Sequence, residues 1–158
     1  NIERDIIELQ KVAERGHCKA RFLLGSYYDN AVRDNTKALL HYKIAADLGY
    51  LEAQYETGRI YEKNHQKEQA ASYYARAADQ GDKAALHKLV ALYENNPDLA
   101  KEDKKVFEYY REAANDQEGT LAERKLAAAL ICGLPDKVRG FTSEGVLLGV
   151  YLDISENG

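Results

Sequence analysis

Four histidines (His17, His41, His65 and His87) and two cysteines (Cys18 and Cys132) are the side chains best suited to bind a metal or act as nucleophiles. Their spacing argues against both roles. The histidines are scattered through different parts of the chain with no metal-type spacing, and the cysteines form no CxxC pair. Cys18 adjoins His17, but neighbours on a helix do not face each other, so a thiolate dyad is not built there. The carboxylates lie in mixed-charge stretches such as Glu102-Asp103-Lys104-Lys105, which a solvated helix face explains. Gly133, Gly140, Gly145 and Gly149 make neither GxGxxG nor a GK[ST] element, so no phosphate cradle is indicated. The expectation is no catalytic residue, no metal and no cofactor.

Residues suited to recognition are better represented. Phe22, Tyr55 and His87 follow one another at offsets of 33 and 32 positions. On the same helix face fall Ser26 and Asp29, then Arg59 and Glu62, then Glu94. If this face is the inner wall of a stacked-repeat protein, the three rings form a ladder on which a peptide lies, and the charged residues set its register. The competing reading is that these long side chains pack between neighbouring repeats.

The elements that must position them follow from an internal period. Gly16, Gly49 and Gly81 stand 33 and 32 positions apart, and the same offsets carry Ala20 to Ala53 to Ala85 and Tyr28 to Tyr61 to Tyr93. Gly25 leads to Gly58 and then to Val90. Tyr42, Tyr74 and Tyr110 each precede an alanine pair by three residues: Ala45-Ala46, Ala77-Ala78 and Ala113-Ala114. Each repeat reads as two helices. Ala20, Leu24, Tyr27 and Tyr28 share one side of a 3.6-residue turn, and Ala38, Tyr42 and Ala45 form the matching stripe of the second helix. Alanine lets backbones approach while tyrosine fills the adjacent gap and brings its hydroxyl to a polar edge. Gly49 and Gly81 suit left-handed helix ends, Asp34 or Thr36 suits an N-cap, and Pro97 interrupts the third repeat.

Ile2 to Glu14 reads as the second helix of a truncated repeat. The period then divides the chain into 1–14, 15–49, 50–81, 82–118 and a partial or irregular stretch 119–158, all within one repeat domain. Leu147 to Asp153 echoes Leu23 to Asp29, and Thr120 to Cys132 fits a first helix. The fold class expected is all-α: a right-handed superhelix of stacked helical hairpins.

Composition limits the partners. The chain has 158 residues and a formal net charge of -4, with a pI near 5.6 and 30% charged residues, so no basic surplus exists to hold nucleic acid or an anionic membrane. The apolar run Gly145 to Leu152 is far short of the roughly 20 residues of a membrane helix. The expectation is a soluble piece of a longer protein, in which any targeting signal would lie outside this sequence.

Ala20, Leu24-Gly25, Tyr28, Asp34, Lys37-Ala38, Tyr42-Lys43, Ala45-Ala46 and Gly49 together resemble the Sel-one-like repeat, a relative of the tetratricopeptide repeat. The likeness runs from about Ile2 to Ala114. The chain departs from the family in having Asp29-Asn30-Ala31 and Glu62-Lys63-Asn64 where a Gly-x-Gly is common in the hairpin loop, and in lacking a cysteine pair per hairpin. The resemblance implies a scaffold or adaptor for a partner protein or peptide, often in bacterial envelope or signalling assemblies. A second reading is a structural spacer in an envelope or secretion assembly that binds, or forms homo-oligomers, through its ends. A third is an enzyme with a site in the stretch Gly133 to Gly145. Unpaired cysteines favour the cytoplasm and the resemblance favours the periplasm or envelope, so the compartment stays open.

Overall fold

The computed structural model describes residues 2–134. Of these, 81% are helical and none lies in a strand. The helices are α1 (Ile2–Glu14), α2 (Cys18–Tyr27), α3 (Asn35–Asp47), α4 (Leu51–Lys63), α5 (Lys67–Asp79), α6 (Lys83–Asn95), α7 (Pro97–Glu102), α8 (Val106–Asn115) and α9 (Leu121–Cys132), with a π-helical turn at Tyr28–Val32 after α2. They form two compact units, one ending at Asp82 and the other beginning at Lys83.

Local chemistry sets the helix boundaries. The Asp34 side chain accepts the Lys37 N–H at 3.1 Å and caps α3. Gly49 and Gly81 adopt φ of 96° and 98° just beyond α3 and α5, a backbone that costs other residues strain. Thr120 and Glu123 form a reciprocal capping box that starts α9. Pro97, expected only as a helix breaker, also opens the short helix α7, because its missing N–H is harmless in a first turn.

In the first unit α2 pairs with α3 and α4 with α5, while α3 also packs on α4 and α1 on α2. The small-and-large alternation is visible in the core. Tyr42 and Tyr74 are 2% and 0% exposed, and each lies over a glycine of the facing helix. A methyl group on Gly58 would stand 2.8 Å from Cδ1 of Tyr74, and one on Gly25 only 2.5 Å from Cδ1 of Tyr42. Glycine is therefore required by the ring, not by the turn. Between hairpins the contact is made by alanines: Ala45, Ala46 and Ala53 cluster with Tyr73.

Polar side chains close what the helix ends leave open. Gln54, 4% exposed, donates to the Ala46 carbonyl at 3.2 Å and accepts from Gln80 at 2.7 Å. In the second unit Arg124 does the same for α8, donating from Nε to the Ala114 carbonyl at 3.3 Å. Ala46 and Ala114 are the last alanines of corresponding pairs, and their carbonyls belong to final turns that lack the regular helical partner, although that of Ala46 also accepts the Gly49 N–H at 2.9 Å.

Gly140, Gly145, Gly149 and the Leu147 to Asp153 echo lie outside the described residues. Most of the stretches 119–158 and 133–145 lies there too.

Candidate functional site

The site forms on the first unit, where α2, the π-helical turn and α4 meet above Tyr42. A π-helical turn carries one extra residue per bond, here from the Arg33 N–H to the Tyr28 carbonyl; Arg33 lies in the left-handed region at φ 62°, and the Asp34 N–H closes on the same carbonyl at 2.8 Å. Asp29 and Asn30 ride on this turn. Asp29 accepts the Tyr42 hydroxyl at 3.4 Å and pairs with the Arg59 guanidinium, whose Nε is held by Glu56 at 2.6 Å. Asn30 donates to Ser26 Oγ at 3.1 Å.

These groups bound an open, polar pocket of about 290 Å³ whose walls include Phe22 and Tyr42. Their ring centroids are 5.5 Å apart. Side-chain exposure is 12% for Asp29, 27% for Glu56 and 36% for Arg59, so the ion pairs are partly shielded from water. Burial works against the charge on Arg59, but Glu56 and Asp29 outweigh it and raise its pKa.

Phe22, Ser26, Asp29 and Arg59, four of the residues expected on the recognition face, meet in this pocket. Phe22 also leans on Tyr50, the N-cap residue of α4, at 5.2 Å. Tyr55 tilts against Tyr74 at 5.8 Å, and Glu62 accepts the Tyr74 hydroxyl at 3.4 Å, as Asp29 does for Tyr42. Glu94 is exposed on the rim of a second pocket, of about 470 Å³, in the second unit, among Tyr93, Pro97, Val106 and Leu130. Asn30, Glu56 and Tyr42 were not among the expected face residues. Glu56 was findable, since it stands three residues before Arg59 on one helix, a spacing at which opposite charges pair.

His87 points into its own unit. Its Nε2 lies 2.7 Å from Asp116 and its Nδ1 3.6 Å from Glu123, and the ring leaves no room for a Cβ on Gly119. Asp116, 7% exposed, also meets Lys83 at 3.3 Å and accepts the Glu118 N–H at 3.0 Å. Burial alone would raise the Asp116 pKa, yet the hydrogen bonds from His87, Glu118 and Lys83 hold it below the ordinary carboxylate value. A depressed carboxylate contributes stability that is present above its unfolded pKa of about 4 and is lost as pH falls through the lower folded value. Asp116→Asn should therefore cost about 1–3 kcal/mol at neutral pH and flatten the acid limb of a stability curve, read by urea unfolding at a series of pH values.

Among the described residues no three His, Cys, Asp or Glu side chains gather into a metal-holding group, and no helix is long and apolar enough to cross a membrane. Cys18 and Cys132 are free thiols.

Helical hairpins joined by glycine-ended turns and interlocked through alanine and tyrosine define an all-α, tetratricopeptide-like repeat protein. No protein-family model matches the chain, and no curated protein matches it. Among solved structures it is similar to a Sel1 repeat protein from Oxalobacter formigenes, with 24% identity and a TM-score of 0.69, covering 100% of this chain and 66% of that one. It is also similar to a protective antigen present in uropathogenic Escherichia coli strains that displays an SLR fold, with 25% identity and a TM-score of 0.61, covering 96% of this chain and 33% of that one. The fold is the Sel1-like repeat fold, and the chain spans under two thirds of the length of either solved relative.

Proposed function

We propose that this chain is a non-catalytic scaffold that binds a partner protein or peptide on the side formed by α2 and α4, with Phe22, Ser26, Asp29 and Arg59 in the contact. The observation that carries this reading is the convergence of those side chains, from two successive hairpins, on one open polar pocket. Repeats bury their apolar faces against neighbours and leave such surfaces free, which is why repeat folds serve protein recognition. Tyr55 and Glu62 extend the contact along α4. Glu94, exposed, would serve a surface of the second unit.

A photo-crosslinking residue at Ser26 is the direct test, with one at Leu40, 57% exposed on α3, as control. Crosslinks to a single protein from Ser26, absent from Leu40 and lost on Arg59→Glu, are the expected result. Crosslinks from Leu40 alone would overturn it. The spacer reading draws on Ile2 and Ile7 of α1, 69% and 51% exposed, and expects crosslinks from position 7 instead, to a second copy if the ends self-associate.

A further inference from the structure

We infer that the pocket between α2 and α4 takes a basic side chain, arginine or lysine, presented by the partner, a specification that rests on the scaffold reading above. Two carboxylates, Asp29 and Glu56, face one guanidinium, Arg59, which leaves one negative charge in excess within the pocket. Among the described residues Arg59 is the only cation lining it, and its Nε and Nη2 each pair with one of those carboxylates. An incoming anion would therefore meet a cation whose charge the two carboxylates already counter. Each carboxylate, in contrast, has acceptor capacity beyond these bonds, since an ionised carboxylate provides about four lone-pair sites.

The remaining walls suit a cation as well. Phe22 and the buried Tyr42 close one side of the pocket, whose open surface is mostly polar, so a cation there would meet oxygen acceptors. Ser26 Oγ and the Asn30 carbonyl oxygen add neutral acceptors. The field at the pocket floor agrees with this balance. Burial is the first cause that raises the Tyr42 phenol's pKa, the charges of Asp29 and Glu56 come next, and the opposing influence of Arg59 is the smallest. Partial shielding from water makes an unbalanced charge stronger here than on an open helix face. A guanidinium could bridge Glu56 and Asp29 in the way Arg59 does from the other side, and an ammonium could do so as a point charge.

The test is a nitrogen-15 NMR titration of the intact chain with three small probes: acetyl-arginine amide, acetyl-lysine amide and acetyl-glutamate amide. Saturable shifts at Ser26, Asn30 and the Arg59 side chain with the two cations, and none with glutamate amide, are expected. Glu56→Gln, a nearly isosteric change at a partly exposed helix position, should weaken cation binding about tenfold while the amide spectrum stays folded. Asp29→Asn serves as a second variant, and retained helicity by circular dichroism qualifies it. Equal response to glutamate amide, no localised response to either cation, or unchanged affinity in Glu56→Gln would each overturn the inference. The two readings fail separately. Crosslinks from Ser26 without any cation response sink only the basic-residue claim, whereas cation binding without crosslinks from Ser26 sinks the scaffold face.

Discussion

Tyr74→Ala should destabilise the first unit by about 3–5 kcal/mol, and Gly58→Ala should change sign according to whether that ring is present. Tyr74 is fully buried, packs against Tyr55, and donates its hydroxyl to Glu62, so truncation removes a large ring and strands a carboxylate partner. Alone, Gly58→Ala gains up to about 1 kcal/mol of helix propensity. It then loses more, because the new Cβ meets Cδ1 and Cε1 of the ring at 2.8 Å, well inside contact distance. Overpacking of this kind costs about 1–3 kcal/mol. The ring has little freedom to retreat, since these are its root atoms and its far end is tethered. In a Tyr74→Leu background the obstruction is gone, and the same glycine-to-alanine change should stabilise. Urea unfolding of the four proteins in this cycle reads the coupling directly. Additive effects would show that the glycine is not there for the tyrosine.

That pairing marks the line between what the sequence displayed and what it hid. The recurrence of Gly25 and Gly58 was plain, as was that of Tyr42 and Tyr74, but their contact arises only when two helices are laid side by side. Periodicity reports which residues share a face and says nothing about which residue of the facing helix lies opposite. The caps were legible because they are local: Asp34 needs only the N–H of Lys37 three positions on. The π-helical turn was not, since a reading tuned to 3.6 residues per turn treats Tyr28 to Val32 as loop. Asp29 was assigned to the exposed face by that period, while its bonds to Tyr42 and Arg59 depend on the extra residue. The aromatic slot shows the same limit. Phe22, Tyr55 and His87 share a position in the period, yet Phe22 rests on Tyr42 and Tyr50, Tyr55 on Tyr74, and His87 on Asp116.

Alkaline solution should unfold the protein cooperatively between about pH 10 and 12, with the buried phenols as the cause. Burial raises the pKa of Tyr73 and of Tyr110 to about 12, helped at Tyr73 by its hydrogen bond to Asp47 and at Tyr110 by the charge of Asp103. Tyr42, Tyr74 and Tyr93 are raised as well, by burial first and then by Asp29, Glu62 and Asp103 respectively. The carboxylates contribute in two ways: each accepts a proton bond that the phenolate cannot offer, and each repels the phenolate charge. A raised pKa means the folded chain holds these protons more tightly than the unfolded one. The stabilisation is therefore complete below about pH 10 and drains away as pH climbs toward the folded value. Of the twelve tyrosines, those near the surface should ionise first with helicity intact. The buried ones should then ionise together with the loss of the far-ultraviolet helical signal. Tyr74→Phe keeps the ring over Gly58 and removes one titrating hydroxyl, so its alkaline midpoint should rise despite the loss of about 1 kcal/mol at neutral pH. A smooth ionisation of all twelve near pH 10 with the helices still formed would mean that the phenols are not the pins of this stack.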